Sequence, residues 1–216
     1  GSRHLVHIPR SRNGCVGTVN AISHYGDHYR RVWCVDFEYH TGISGSDAPT
    51  PICMVAIDAL SGDTVRKWLW TGDKTCPIKF TARDLYVSWY ASAEITCHLA
   101  LGWPIPPRIL DLCAEFRVMH NGMDRHRTVA EKGALKKHER ASLLAGLFAF
   151  GLGDVAIEAG RKDDMRAMCI RGGPYTQQER NAIVNYCESD VSALVSLLPK
   201  MWPRIQNELG PALFRG

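Results

Sequence analysis

The chain contains 216 residues, of which 45% are hydrophobic and 22% are charged, and its formal net charge is +4. These values are ordinary for a globular domain and exclude collagen-like, fibrous and intrinsically disordered proteins. No apolar run is long enough to cross a bilayer, and the mild positive charge permits a polyanionic partner without requiring one.

The predicted elements begin after a leader, residues 1–30, which is basic and contains histidines and glycines but shows no sustained period. Strand composition follows at Arg31–Tyr39, Ile52–Leu60 and Thr64–Trp70. A Ser61-Gly62-Asp63 turn lies between the second and third of these strands. Three consecutive strands with one tight turn predict an antiparallel meander.

Helix and strand then alternate. A strand over Leu85–Tyr90 precedes a helix over Ala91–Leu101, which Gly102 ends, and a short strand over Arg108–Cys113 follows. From Thr128 onward the pattern is mainly helical. This order predicts an α/β fold with a mixed sheet, an antiparallel meander followed by parallel strands, flanked by helices.

The final helix has clear signals at its start and near its end. Thr176 is followed three residues later by Glu179, which is the signature of a capping box. Pro199 is expected to end or kink this helix, because proline cannot donate a backbone hydrogen bond.

The eight cysteines are scattered singly, and no C-x-x-C pair occurs. Several lie within apolar runs, as small buried hydrophobic residues do. This usage predicts free thiols in a reducing compartment, and therefore a cytoplasmic protein, rather than a disulfide framework or a zinc site.

Two carboxylates, Asp36 and Glu38, lie two residues apart on the first predicted strand. Side chains alternate along a strand, so both acids leave one face and the intervening Phe37 leaves the other, where it can pack into the core. Like charges side by side repel unless a cation lies between them, and Mg²⁺ and Mn²⁺ prefer carboxylate oxygens. The pair is compatible with a divalent-cation site and equally with an edge strand that has a solvated acidic face.

Tyr186 and Asp190 lie four residues apart on the final helix, and therefore on one face of it. A phenol hydroxyl next to a carboxylate can hold a water molecule beside a metal ion. Pairs with this spacing also occur by chance on exposed helices. The pair therefore indicates a site only if other functional residues lie near it in the fold.

Asp-x-Glu on a first strand, followed late in the chain by Tyr-x-x-x-Asp on a helix, resembles the DEDD superfamily of 3′–5′ exonucleases, tyrosine branch. The proofreading domain of family A DNA polymerases is the most similar member, and the likeness covers roughly residues 31–203 in element order. The resemblance implies a ribonuclease H-like fold over residues 31–216. It also implies two Mg²⁺ or Mn²⁺ ions, the 3′ end of single-stranded DNA as substrate, a nucleoside monophosphate as product, and a polymerase domain as partner.

The family takes a fourth carboxylate from Asn-x-x-x-Asp at a strand-to-helix junction. Here the junction reads Tyr90-Ala91-Ser92-Ala93-Glu94, with Tyr for Asn and Glu for Asp. The resemblance therefore assigns the fourth acid to Glu94 and a structural role near the next helix start to Asp111. The rival assignment makes Asp111 the ligand.

The resemblance also gives each residue of the site a role. Asp36 is the ligand shared by both ions, Glu38 and Asp190 complete the first ion, and Glu94 supports the second. Tyr186 orients the attacking water. Apart from these roles, Phe37, Lys162 and Arg166 are expected to contact the substrate.

Two basic groups, Arg125–Arg140 and Arg161–Arg171, either line the path of a nucleic-acid strand or form solvated helix faces with interleaved acids. The sequence thus predicts a metal-dependent 3′–5′ exonuclease that acts on DNA. Two alternatives stay open. One is an exoribonuclease similar to ribonuclease D. The other is a nuclease-like fold without activity that binds nucleic acid or a protein, which the Glu in the middle motif allows.

Overall fold

The computed structural model describes residues 28–41, 48–120, 141–158 and 162–209. Nearly all of the predicted leader and the basic group Arg125–Arg140 lie outside these ranges. In chain order the described elements are β1 (Arg31–His40), β2 (Thr50–Asp58), β3 (Thr64–Trp68), β4 (Asp84–Ser88), α1 (Ala91–Leu101), β5 (Ile109–Asp111), α2 (Leu112–His120), α3 (Leu143–Ala149), α4 (Gly153–Glu158), α5 (Lys162–Arg171) and α6 (Gln177–Leu209). Among these helices, none combines the length and apolarity that a membrane span needs.

The described strands form one mixed sheet in the order β3-β2-β1-β4-β5. Strands β1, β2 and β3 pair antiparallel, whereas β4 and β5 run parallel to β1. The predicted α/β class and the meander followed by parallel strands are therefore confirmed. Strand β5 is shorter than predicted, because Leu112 and Cys113 already belong to α2.

Helices cover both faces of this sheet. On one face Val32 and Cys34 belong to the same buried cluster as Cys187 of α6. On the other face Trp33 and Phe37 cluster with residues of α1 and the loop after it. This alternation along β1 is the predicted one, and it directs Asp36 and Glu38 toward the α6 side.

The predicted end of α1 at Gly102 and the predicted start of α6 at Thr176 are confirmed. Gly102 ends α1 in the left-handed conformation, with a φ of 67°, which favours glycine. At the start of α6 the Thr176 N–H donates to the Glu179 carboxylate at 2.7 Å, and the Glu179 N–H donates to the Thr176 hydroxyl at 3.2 Å. These reciprocal bonds form a capping box.

Pro199 does not end α6, which continues to Leu209. The residues on either side of it, including Leu197, Leu198 and Met201, are completely buried. Burial of these side chains stabilises the continued helix and offsets the backbone hydrogen bond that Pro199 cannot donate.

Candidate active site

The candidate site lies where β1 extends past its parallel neighbour. Pairing between β1 and β4 ends at Cys34 and Val87, so the segment with Asp36 and Glu38 lies beyond the end of β4. Helix α1 starts directly after β4 and contacts β1, and α6 packs on the other face of β1. Side chains from both helices therefore reach the same segment of β1.

Four acids from three distant parts of the chain lie close enough here for their charges to shift pKa values. Burial raises the pKa of Asp36 well above its ordinary value, and the charges of Glu94, Glu38 and Asp190 raise it further. Burial also raises the pKa of Glu94 well above its ordinary value, with further contributions from Glu38 and Asp111. Effects of this kind require the carboxyl groups to lie close together in a poorly solvated place.

Glu94 and Asp111 have different surroundings. Glu94 is 4% exposed, and its Oε2 atom is buried without a hydrogen-bond partner. Asp111 accepts hydrogen bonds from the Ala91 N–H at 3.1 Å and from the Ala114 N–H at 3.0 Å. Asp111 therefore caps the first turns of both α1 and α2, which is the structural role that the resemblance assigned to it.

Tyr186 joins the acids from α6. Its hydroxyl is hydrogen-bonded to Asp190, four residues further along the same helix face. Burial raises the pKa of Tyr186 above its ordinary value, and the charges of Asp190, Glu38 and Asp36 add to the rise. The phenol is therefore protonated at neutral pH and donates its hydrogen bond to Asp190.

An open cleft of about 520 Å³ lies beside these groups. It is lined by Glu38, Tyr39, Thr41, Arg166, Cys169, Ile170 and Tyr186. The register of β1 against β2 shifts between Glu38 and Tyr39. Tyr39 lines the cleft and also packs against the cluster of Trp33 and Phe37 on the α1 side, where strand alternation places it. The volume is that of a small-molecule site.

The three residues assigned to substrate contact lie in different places. Arg166 lines the cleft. Phe37 is 3% exposed, and its ring packs against His98 and Trp103 with centroid distances of 5.7 and 5.9 Å. Phe37 is therefore a core residue and not part of a substrate-contacting surface, because strand alternation sends it toward α1. Lys162 is the first residue of α5, and its side chain lies outside the described part of the chain.

Two cysteines touch the acid-bearing strand, and sequence analysis considered them only as small buried side chains. The Cys187 thiol donates to the backbone oxygen of Asp36 at 3.3 Å, and the Cys169 thiol donates to Glu38 Oε2 at 3.5 Å. Burial raises the pKa of both thiols above the ordinary value. They are therefore neutral hydrogen-bond donors to the strand that carries Asp36 and Glu38. No signal in the sequence pointed to these contacts, because they depend on how α5 and α6 pack against β1.

The donor set suits a hard divalent cation. Carboxylate oxygens are the preferred ligands of Mg²⁺ and Mn²⁺, and the buried Glu94 Oε2 has no other partner. As placed, however, no three His, Cys, Asp or Glu side chains in the described ranges form a group that could hold a metal ion. The acids are close enough to raise one another's pKa, and a bound ion would have to draw them closer together.

Comparison of the chain with protein-family models, with curated proteins and with solved structures finds no match. Membership of a family is therefore not shown by similarity along the chain. The arrangement of the acids, Tyr186 and the cleft is what supports a function.

Glu94→Gln and Asp111→Ala are expected to change stability in opposite directions. Glu94→Gln removes a buried carboxyl group whose pKa is raised, so it should increase the melting temperature in EDTA at about pH 8. Asp111→Ala removes two helix caps and should lower the free energy of unfolding by about 1–2 kcal/mol. Thermal and urea unfolding measure both effects. A Glu94→Gln variant that melts lower than the wild type would show that Glu94 stabilises the fold instead.

Proposed function

We propose that this chain is a metal-dependent 3′–5′ exonuclease of the DEDD superfamily, tyrosine branch, which removes nucleotides from single-stranded or frayed 3′ ends of DNA. The observation that carries the proposal is that buried acids gather beside Tyr186 at the edge of one cleft. The charges of Glu94, Glu38 and Asp190 all raise the pKa of Asp36 there. Buried acids that raise one another's pKa are unfavourable by themselves, and they indicate a site at which a cation or chemistry compensates.

The sheet supports the proposal at the level of the fold. The order β3-β2-β1-β4-β5, with an antiparallel meander on one side and parallel strands on the other, agrees with the ribonuclease H-like arrangement that the resemblance implies. The acids of β1 lie on the central strand of this sheet. We therefore propose that the chain has a ribonuclease H-like fold.

The four acids would supply oxygen ligands to two ions, and Asp36 would be shared between them. Asp36, Glu38 and Asp190 would hold one Mg²⁺ or Mn²⁺ ion, and Asp36 with Glu94 would hold the second. When bound, such ions lower the pKa of a coordinated water and neutralise charge that develops on a phosphate. Glu94 is one methylene longer than the Asp usual at this position, which lengthens its reach from the first turn of α1.

The protein's own groups arrange the other participants. The Tyr186 hydroxyl donates to Asp190, so its oxygen is left to accept a hydrogen bond from the attacking water and orient it. Arg166 brings a positive charge to the cleft in which the terminal phosphate would lie. The water oxygen bonds to phosphorus and loses a proton to solvent, while the bond from phosphorus to the 3′ oxygen of the preceding nucleotide breaks and that oxygen takes up a proton. The products are a nucleoside monophosphate and a strand one nucleotide shorter.

Degradation of matched DNA and RNA strands tests the proposal. Each strand carries a 5′ label and is incubated with Mn²⁺ or with EDTA. Shortening of DNA from its 3′ end that requires Mn²⁺ is the expected result. Faster shortening of RNA would favour an exoribonuclease similar to ribonuclease D. No shortening of either strand would overturn the proposal and leave the inactive binding module as the better explanation.

A proofreading role beside a polymerase domain is part of the same proposal. A proofreading exonuclease acts on a 3′ end that has separated from its template. We therefore expect a duplex with a mismatched 3′ end to be shortened faster than a fully paired one. Equal rates on the two duplexes would remove the proofreading role and leave the nuclease activity.

A further inference from the structure

A second groove, of about 480 Å³, lies between the edge strand β3 and α6. Two arginines, a tryptophan, a valine and three amide side chains line it, and we call it the β3–α6 groove: Arg66, Trp68, Gln177, Arg180, Asn181, Val184 and Asn185. None of these residues belongs to the candidate active site. The lining is mainly polar and carries two guanidinium groups, and guanidinium groups are well suited to binding phosphate.

The two guanidinium groups differ in their partners. Arg66 forms an ion pair with Glu188, with 3.1 Å between Nε and Oε1. The Arg180 guanidinium lies over the Trp68 ring, 4.8 Å from the centroid. In the part of the chain that the structure describes, Arg180 has no acidic partner. Its N–H donors are therefore held in a fixed plane and are able to bind an anion.

The sheet register links this groove to the active site. Asp36 pairs with Val55 of β2, and Val55 pairs with Arg66 of β3. Residues paired across strands leave the same face, and two strand spacings amount to about 10 Å. Arg66 therefore lies on the same side of the sheet as the acids.

Helix α6 separates the two openings. Tyr186 lines the cleft, and the preceding residue, Asn185, lines the groove. Between them, one face of α6 carries three uncharged residues, of which Asn185 is exposed and the other two are half-buried: Ala182, Asn185 and Ser189. An extended polyanion that leaves the cleft can cross these uncharged residues to reach Arg180 and Arg66, and the charge of the neighbouring Glu188 is offset by its ion pair with Arg66.

We infer that the β3–α6 groove binds the phosphodiester backbone of the nucleic-acid strand whose 3′ end occupies the cleft. This inference rests on the proposed function. Arg180 and Arg66 bind phosphate oxygens, and the amides of the groove offer hydrogen bonds to phosphate and sugar oxygens. The groove therefore adds affinity only for strands long enough to cross α6 and adds none for a nucleoside monophosphate.

Equilibrium binding of labelled single-stranded DNA tests the inference. The measurements use the Asp36→Asn background with Mg²⁺, so that the strand stays intact, and compare a long strand with a dinucleotide by fluorescence anisotropy. Arg180→Ala should weaken binding of the long strand by roughly three- to tenfold and lower its salt dependence by about one phosphate contact. Binding of the dinucleotide should not change.

Arg83→Ala is the matched control. Arg83 is an exposed arginine that precedes β4, so its removal changes the net charge equally without touching the groove. Glu188→Gln should act in the opposite direction and tighten binding of the long strand, because it releases Arg66 and removes a negative charge next to the groove. Melting temperatures confirm that each variant is folded.

The outcomes separate the inference from the proposed function. Equal binding by Arg180→Ala and Arg83→Ala would overturn the inference, as would a polyglutamate peptide that competes as well as DNA does, since the partner would then be a protein. If the wild-type chain fails to shorten DNA but Arg180→Ala still weakens binding, the nuclease proposal fails and the groove stands as a nucleic-acid site.

Discussion

Replacing Asp36 with Asn is expected to slow the metal-dependent shortening of DNA by about 10³-fold or more. Asp36 is the carboxylate that Glu94, Glu38 and Asp190 all influence, and it is the shared ligand in the proposed site. Asn keeps the shape of the side chain and removes the charge, so the fold should persist. Single-turnover shortening of a labelled strand in Mn²⁺ measures the rate.

Asp63→Asn is the control for this variant. Asp63 lies on the exposed turn before β3, and its surface ion pair with Arg31 contributes little to stability. It should keep the full wild-type rate. Full activity in Asp36→Asn would remove Asp36 from the site, and equal loss in both variants would indicate a general effect of lost acidic charge.

The second large effect concerns stability without divalent cations. The folded-state pKa values of Asp36 and Glu94 lie above the unfolded values of about 4. Between the unfolded and the folded pKa, the folded protein binds more protons than the unfolded chain does. The free energy of unfolding should therefore fall as the pH rises through this interval.

Acids with lowered pKa values make the free energy of unfolding rise with pH instead, but they do so over a lower pH range. The pKa of Glu179 is lowered to about 2, chiefly by the hydrogen bond from Arg171. Its contribution to stability is complete above the unfolded pKa and is lost only as the pH falls toward 2. Burial lowers the pKa of His98, so His98 opposes the decline at pH values below its unfolded pKa of about 6.5. The decline therefore reports the buried acids most directly above about pH 6.5.

Mn²⁺ should reverse that decline. An ion at about 100 times its dissociation constant stabilises a folded protein by about 2.7 kcal/mol, which corresponds to roughly 5–10 °C in melting temperature for a chain of this size. The gain should be large at about pH 8 and smaller at about pH 5, where protons compete with the ion. Thermal unfolding and calorimetric titration measure it.

The double variant Asp36→Asn, Glu94→Gln should lose both the decline with pH and the gain from Mn²⁺. A wild-type melting temperature that does not respond to Mn²⁺ would contradict the cation site. That result would favour the nuclease-like module without activity.

The features that follow from local chemistry were predictable from the sequence. Alternation along β1 placed Asp36 and Glu38 together on one face, because strand geometry leaves no other choice. The bounds of α1 follow from its composition and from Gly102, and the start of α6 follows from Thr176 and Glu179. Each of these signals acts within a few residues.

The features that depend on packing were not predictable in the same way. The register of β1 against β2 shifts after Glu38, and nothing in the strand composition signals that shift. Helix α6 continues past Pro199 because its neighbours are buried against the sheet, which local propensity cannot report. The β3–α6 groove depends on the approach of Arg66 to Arg180, which are distant in the sequence.

The position of α6 has a consequence for the protein during its synthesis. The contact between Cys187 and Asp36 spans 151 residues, and Asp190 and Tyr186 lie on the same helix as Cys187. A nascent chain that has not yet released α6 from the ribosome carries Asp36, Glu38 and Glu94 but lacks Asp190 and Tyr186. Under the proposed function, such an incomplete chain cannot hydrolyse nucleic acid, because its catalytic centre is complete only after α6 has packed against the sheet.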